Sequence, residues 1–280
     1  MRVDLIRVGV IGCGAIGSSL ARALDQRYAH RARLVALNDR TPAHARALQQ
    51  SLRARPAIVP LARLIQRSDL VIEAASGAIA GRIARAALAA GRQVLIMSTG
   101  GLLKDAAAWP RRVARSRGGR LYLPSGGLAG LDGVKALAIG RLRRVELTTS
   151  KPPASLAAAP YVQKHRLSLT KLRKPRVIFS GSPQAAVAGF PQNTNVSATL
   201  LLSCLLVSPS ARRIPVRVRV IADPRLKTNV HEIAVEGDCG RVAVRVESRP
   251  SATNPKTSEI AIRSALASLH QLLGGMHVGT

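Results

Sequence analysis

The sequence predicts an α/β fold: an N-terminal doubly wound parallel sheet, then a second α+β domain with a mixed or antiparallel sheet. Three observations predict it. The apolar run 8–11 enters Gly12, Gly14 and Gly17 and then a helix-like stretch, 18–24. Strand-like and helix-like segments alternate up to about residue 122. Beyond Arg120 the pattern shifts to segments that alternate apolar and polar side chains, as a half-exposed sheet does.

The first strand and its glycines read as a phosphate cradle. Gly12 permits a tight turn, Gly14 lets backbone approach a pyrophosphate, and Gly17 lets helix pack on strand. Ala15 and Ile16 lie between them, where the opening of the helix offers unpaired N–H groups and a positive dipole end. The second strand, 34–37, ends in Asn38 and Asp39, about twenty residues past the last glycine, where an acidic side chain can hold a ribose 2′-hydroxyl. Together these make a Rossmann dinucleotide pattern. Arg40 follows at once, and a guanidinium there can accept the 2′-phosphate of NADP, so NAD and NADP both stay open. The plainer alternative makes Asp39 and Arg40 turn residues before a helix over 41–52, with Thr41 as N-cap and Pro42 at its first position.

The alternation continues with a short strand at 57–59, a helix at 60–66, a buried strand at 69–75, a helix at 78–90 closed by Gly91, and a strand at 93–97. Ligands in such sheets collect at the strand C-terminal ends, which puts Ala75 and Ser98 beside the cofactor. A strand at 121–123 then runs into Pro124, Ser125, Gly126 and Gly127. We expect residues 1–122 to form the dinucleotide-binding domain and 123–253 the catalytic and dimerisation domain, with strands near 144–149, 177–179, 216–222, 232–236 and 241–247. A last helix over 254–273, with Asn254 as N-cap, Pro255 at its first position and Ile260, Leu266, Leu269 and Leu273 on one face, is expected to return to the first domain.

Composition narrows the function classes. At 280 residues and 47% hydrophobic content the chain can bury a real core. The longest apolar run, 196–207, is interrupted by Ser197, Thr199 and Ser203 and falls short of the roughly 20 residues a membrane helix needs. Asp4 and three glycines interrupt what would be a signal-peptide core. Cys13, Cys204 and Cys239 are odd in number and far apart, which fits a reducing cytoplasm better than a disulfide framework. A net charge of +29 raises the question of nucleic acid. No basic block exceeds two residues and aromatics make up 2%, so a general arginine and alanine bias explains the charge better and no specific nucleic-acid partner is expected. A non-catalytic dinucleotide sensor or nucleic-acid binder remains the alternative from another class.

The second half holds polar clusters unusual for scaffolding: 149–153 (Thr-Ser-Lys-Pro-Pro), 190–195 (Phe-Pro-Gln-Asn-Thr-Asn), Asp223-Pro224 with 229–232 (Asn-Val-His-Glu), and 254–258 (Asn-Pro-Lys-Thr-Ser). With the glycine turns at 12–17, Ser98 and 125–127, their order resembles the L-aspartate dehydrogenase family over nearly the whole chain. That resemblance implies NAD(P)-dependent oxidative deamination of L-aspartate to oxaloacetate through iminoaspartate, linked to NAD biosynthesis. It implies cofactor contacts from Asn195 and Gly127, and a catalytic His231. The family usually has alanine where this chain has Gly127, and the stretch 203–213 is several residues longer than the family pattern. A related reductase or dehydrogenase of another small acid, imine or semialdehyde is the nearest alternative enzyme.

The residues support a chemistry of their own. Imidazole has an unperturbed pKa that allows proton exchange near neutrality, which suits His231 to a relay. Glu232 follows it but faces the other way in a strand, so Asp223 or Asn229 is the expected orienting partner. A dicarboxylate needs fixed positive donors, for which Lys151, Asn229 and Lys256 are the candidates. The plain reading leaves both lysines solvated, Asn254 as a cap, and Asn193 and Asn195 in a turn. The histidines at 30, 44, 165, 270 and 277 show no metal-ligand spacing, and no metal is expected. An exposed sheet in the second domain leads us to expect a homodimer.

Overall fold

The computed structural model describes residues 5–191, 195–207, 216–251, 254, 257–274 and 276–279. The chain divides into two compact units: Met1–Leu102 with Ala108–Pro124 and Ile262–Val278, and Leu103–Ala107 with Ser125–Ala261 and Gly279–Thr280.

In unit 1, β1 (Ile6–Ile11), β2 (Ala32–Asn38), β3 (Ala57–Ile58), β4 (Leu70–Glu73), β5 (Gln93–Ile96) and β6 (Leu121–Tyr122) pair in parallel in the order β3-β2-β1-β4-β5-β6. This is the Rossmann order, and it reverses between β1 and β4, the point at which such sheets open a crevice beyond their C-terminal ends. Every residue of β4 is buried, as the unbroken Leu-Val-Ile run requires of a strand in an all-parallel sheet with both faces covered. The connecting helices are α1 (Ala15–Gln26), α2 (Pro42–Ser51), α3 (Leu61–Arg67) and α4 (Gly77–Ala89). A 3-10 stretch, Thr99–Ala108, and α5 (Trp109–Arg115) add helix between β5 and β6 where the sequence analysis placed none.

In unit 2, α6 (Leu131–Ile139) precedes β7 (Leu142–Lys151); short helices α7 (Pro153–Leu156) and α8 (Pro160–Lys164) lead to β8 (Arg176–Gly181), α9 (Pro183–Gly189) and α10 (Asn195–Val207). Then come β9 (Val216–Ala222), β10 (Asn229–Gly237) and β11 (Arg241–Ser248). The sheet order is β11-β10-β7-β9-β8; β7 and β9 run parallel and the other pairs antiparallel, so the sheet is mixed. The period of two sorts its faces. Leu147, Thr149, Val218, Val220, His231, Ile233 and Val235 are buried on one, against which Gly130 and Gly133 bring the start of α6 onto Val244 and Val242. The other carries charged pairs: Arg245 with Glu232 and Glu247, and Arg144 with Glu146. α10 is buried from Val196 to Leu202, Ser197 and Thr199 included.

The last helix corrects one expectation. α11 spans Glu259–Gly274 and does not begin at Asn254. The preceding backbone is spent on a turn: Thr257 N–H donates to Asn254 O at 2.8 Å, Ser251 N–H to Thr257 O at 2.7 Å and Glu259 N–H to Arg249 O at 3.0 Å. Ser258 is the cap, its Oγ accepting from Ala261 N–H at 3.3 Å. Ala265, Leu269 and Leu273 of α11 join the core built by β1, β2, α1 and α2. Tyr28 Oη pairs with His270 Nδ1 at 3.1 Å, and Arg31 donates to Leu273 O at 2.7 Å.

Candidate active site

The cradle of unit 1 is built from backbone. Gly12 has φ of +92°, and a Cβ there would stand 2.5 Å from Ala74 O. A Cβ at Gly17 would stand 1.8 Å from Gly12 O, so any side chain at that position separates helix from strand. Between them Gly14 caps α1 with no side chain, and nothing lies within 4 Å of where its Cβ would be. That leaves the N–H groups at Ala15, Ile16 and Gly17 facing a space that only glycine keeps open, the fit a pyrophosphate requires. Asp39 is built into the same turn. Its Oδ2 accepts from Cys13 N–H and its Oδ1 from Thr41 N–H, each at 2.7 Å. The turn role leaves room for a third donor, since a carboxylate keeps lone pairs after two such bonds. Arg40 is exposed next to it.

The strand ends opposite are tied by a residue the sequence analysis missed. Glu73, fully buried at the end of β4, accepts from Ala75 N–H at 2.8 Å, Ser98 N–H at 3.0 Å and Ser98 Oγ–H at 2.9 Å. Burial pushes its carboxyl above the usual carboxylate range, and these donors, with Ser76 N–H, pull the other way. One side chain thus fixes both loops, holding Ala75 exposed and Ser98 buried. The signal was a lone acid closing an apolar strand.

In unit 2 the register of two strands makes a buried polar corner. β7 and β10 place Thr149 directly opposite His231, and Thr149 Oγ1 lies 3.1 Å from His231 Nδ1. Two residues along, on the same face, stand Lys151 on β7 and Asn229 on β10. All four are buried, Lys151 at 5% exposure. The backbone at Gly127 closes the ring edge: a Cβ there would come within 3.3 Å of His231 Nε2 and 3.5 Å of Val196 Cγ1. The turn at 125–127, the start of α10 and β10 therefore meet at one imidazole. Asn195, next to Val196, is the exposed first residue of α10.

Two expectations are corrected. The orienting partner of His231 is Thr149: Asp223 is held instead by Arg225, with Nε 3.1 Å from Oδ1, because Asp223 sits in the turn after β9. Glu232 points to the open face and pairs with Arg245 at 2.9 Å. The unperturbed imidazole pKa does not apply either. Burial, and then the charge of Lys151, lower His231 to about 3, so the ring is neutral at neutral pH. Lys151 is the group brought towards neutrality, lowered by burial to about 8. Lys256 and residues 192–194 lie outside the described residues. Cys13, Cys204 and Cys239 are free, and burial pushes Cys13 up to about 12. No group of three His, Cys, Asp or Glu among the described residues is arranged to hold a metal, and no described helix is long and apolar enough to cross a membrane.

Residues 132–272 match the family described as aspartate dehydrogenase, C-terminal, and residues 12–124 match the homoserine dehydrogenase NAD-binding domain. The L-aspartate dehydrogenase of Methanocella arvoryzae is 39% identical over 99% of this chain and 100% of its own length. That of Methanosarcina barkeri is 40% identical over 99% and 100%. The chain belongs to the aspartate dehydrogenase family. The crystal structure of the aspartate dehydrogenase of Thermotoga maritima shares its fold, with a TM-score of 0.70 over 98% of this chain and 99% of that one at 23% identity. Among the candidate residues of this family member, the cradle, Asp39, Ala75 and Ser98 fall in the NAD-binding match, Lys151, Asn229 and His231 in the aspartate dehydrogenase match, and Gly127 between the two. The cradle's cofactor is NAD or NADP.

Proposed function

We propose that this chain catalyses the NAD(P)-dependent oxidative deamination of L-aspartate, giving oxaloacetate and ammonia through iminoaspartate, and that iminoaspartate is its link to NAD biosynthesis. The observation that carries the reading is a buried Thr149–His231 pair with Lys151 on the same sheet face, in a chain whose other unit is a dinucleotide cradle. The cofactor, when bound, takes the hydride of the substrate α-carbon. Gly12, Gly14, Ala15, Ile16 and Gly17 hold its pyrophosphate, Asp39 or Arg40 its ribose edge, and Ala75, Ser98, Gly127 and Asn195 its remaining contacts.

Lys151 presents a cation from a dry wall, where attraction for a carboxylate is stronger than in water. Asn229 and Lys256 complete the grip on a dicarboxylate. With Nδ1–H donated to Thr149, His231 keeps an Nε2 lone pair. That nitrogen takes the proton of the water that adds to the imine carbon and returns it to the departing amine. A free-site pKa near 3 is too low for this work, but a dicarboxylate beside Lys151 offsets the cation's repulsion and raises the ring's proton affinity. The larger part of the lowering, set by burial, stays in place when substrate binds.

The test is NAD(P)H formation with L-aspartate, and with D-aspartate, glutamate and alanine alongside. Selective turnover with L-aspartate, falling about 10²–10⁴-fold in His231→Ala while dinucleotide affinity holds, is expected. Dinucleotide binding without aspartate turnover overturns the assignment. We further read residues 1–122 as the dinucleotide domain and 123–253 as the catalytic one, in a cytoplasmic homodimer joined through the open face of the mixed sheet; light scattering at a dimer mass supports that assembly and a monomer mass rejects it.

A further inference from the structure

Five arginines line one surface cavity of about 800 Å³ in unit 1: Arg85 on α4, Arg92 just before β5, Arg112 and Arg115 on α5, and Arg117 beyond it. No acidic side chain is part of its wall. The turn that gathers them is fixed, with Ser116 Oγ donating to Leu88 O at 2.6 Å and the Gly91 backbone so close to Arg117 O that a Cβ would stand 2.6 Å away. The cavity lies where α4 ends and β5 begins. That is the edge of the parallel sheet opposite the strand C-terminal ends that carry the cofactor cradle.

Part of this charge has a structural account. Each helix C-terminus carries about half a negative charge, which favours cations in the last turn of α5. Arg112 lies 5.2 Å over the Trp109 ring, and Arg92 reaches Asp69 at 3.7 Å. Arg115 has only the helix dipole to answer it and Arg117 lies beyond the helix; neither makes an ion pair among the described residues, and Arg92 Nε is buried without an acceptor. A second basic cavity, lined by Arg7, Arg33, Arg55 and Arg67, has about half the volume, 400 Å³. There Arg7 grips Asp69 with two bonds, at 2.7 and 3.0 Å, and the remaining arginines make this cavity the charge-matched control for the larger one.

We propose that the larger cavity binds a multiply phosphorylated small anion of the triphosphate class. Guanidinium forks match phosphate oxygens two at a time. Five arginines around one cavity call for several negative charges on one compact ligand, and the volume lies within the ~300–1,000 Å³ of small-molecule sites. The aliphatic wall of Leu88 and Ala89 leaves room for an uncharged portion. Such a ligand acts from outside the cofactor cradle.

Calorimetric titration of the full chain, saturated with NAD to block the cradle, tests this with inorganic triphosphate and with ATP as separate probes. One equivalent per chain is expected, weakened at least tenfold in Arg115→Ala/Arg117→Ala and unchanged in Arg33→Ala/Arg67→Ala, which removes the same charge from the other basic cavity. ATP binding tighter than triphosphate identifies a nucleotide, and the reverse a bare polyphosphate. Absence of saturable binding, or equal weakening in both variants, overturns the proposal and leaves only the diffuse field of a +29 chain. Aspartate turnover is read separately, so failure here leaves the functional assignment standing.

Discussion

The cradle of unit 1 and the polar corner of unit 2 are built in opposite ways. The first is made of backbone: three glycines within six residues, a helix N-terminus and one acid at the next strand's end. The second is made of side chains brought together by strand register, Thr149 and His231 being 82 residues apart. A backbone site is specified by what must be absent, namely Cβ atoms, and tolerates a polar, half-open setting. A side-chain site in a dry wall holds its groups in unusual protonation states and costs stability to keep.

That contrast predicts different failures. Gly17→Ala should do the most damage, because its Cβ would overlap Gly12 O at 1.8 Å. We expect the melting temperature and dinucleotide affinity to fall together, the latter more than tenfold; unchanged affinity by fluorescence titration would show that the cradle can shift. Lys151→Met should split the two properties. KM for aspartate rises at least tenfold, while stability at neutral pH holds or improves by up to about 3 kcal/mol, because removal of a buried ammonium relieves its desolvation.

The pH dependence has a definite sign. With Lys151 lowered from 10.5 to about 8, the unfolded chain binds the extra proton between those values, so this group makes stability rise as pH climbs through that window. His231, lowered from 6.5 to about 3, likewise makes stability fall as pH drops from 6.5 towards 3. Denaturant melts across pH should show the alkaline rise vanish in Lys151→Met; its persistence would place the proton elsewhere.

Thr149→Val tests orientation alone. It should lower kcat about tenfold with KM nearly unchanged, and Thr149→Ser should restore most of the loss; a Val variant as active as the parent removes Thr149 from the relay. The smallest effect is expected from Glu73→Gln, which keeps the shape but gives one oxygen a donor where it now accepts from Ala75 and Ser98. KM for the dinucleotide should rise a few-fold with kcat held, whereas a fall in kcat alone would contradict a positioning role.

Legibility followed the same divide. Gly12, Gly14, Gly17 and Asp39 are legible in local spacing, and the parallel sheet of unit 1 in its alternation, whereas the strand order is not, because more than one doubly wound order shares that alternation. Glu73 escaped because a buried acid looks like a strand terminus until the neighbouring loop is in place. In unit 2 the strands were visible from their period of two. The partner of His231 was not, because register between β7 and β10 is a tertiary property and a shift by one residue would have faced His231 with a different side chain. Its protonation state was equally hidden, being set by burial that one histidine in sequence cannot reveal.

The return of α11 to unit 1 has a consequence for biosynthesis. Ala265, Leu269 and Leu273 cover apolar surface presented by β1, β2, α1 and α2, more than two hundred residues upstream of them. A nascent chain that has completed β6 still lacks that cover. Its sheet must wait, with an apolar flank bare to water and chaperones, while all of unit 2 is synthesised. Loss of the last twenty residues, far in sequence from every glycine of the cradle, would therefore injure dinucleotide binding first.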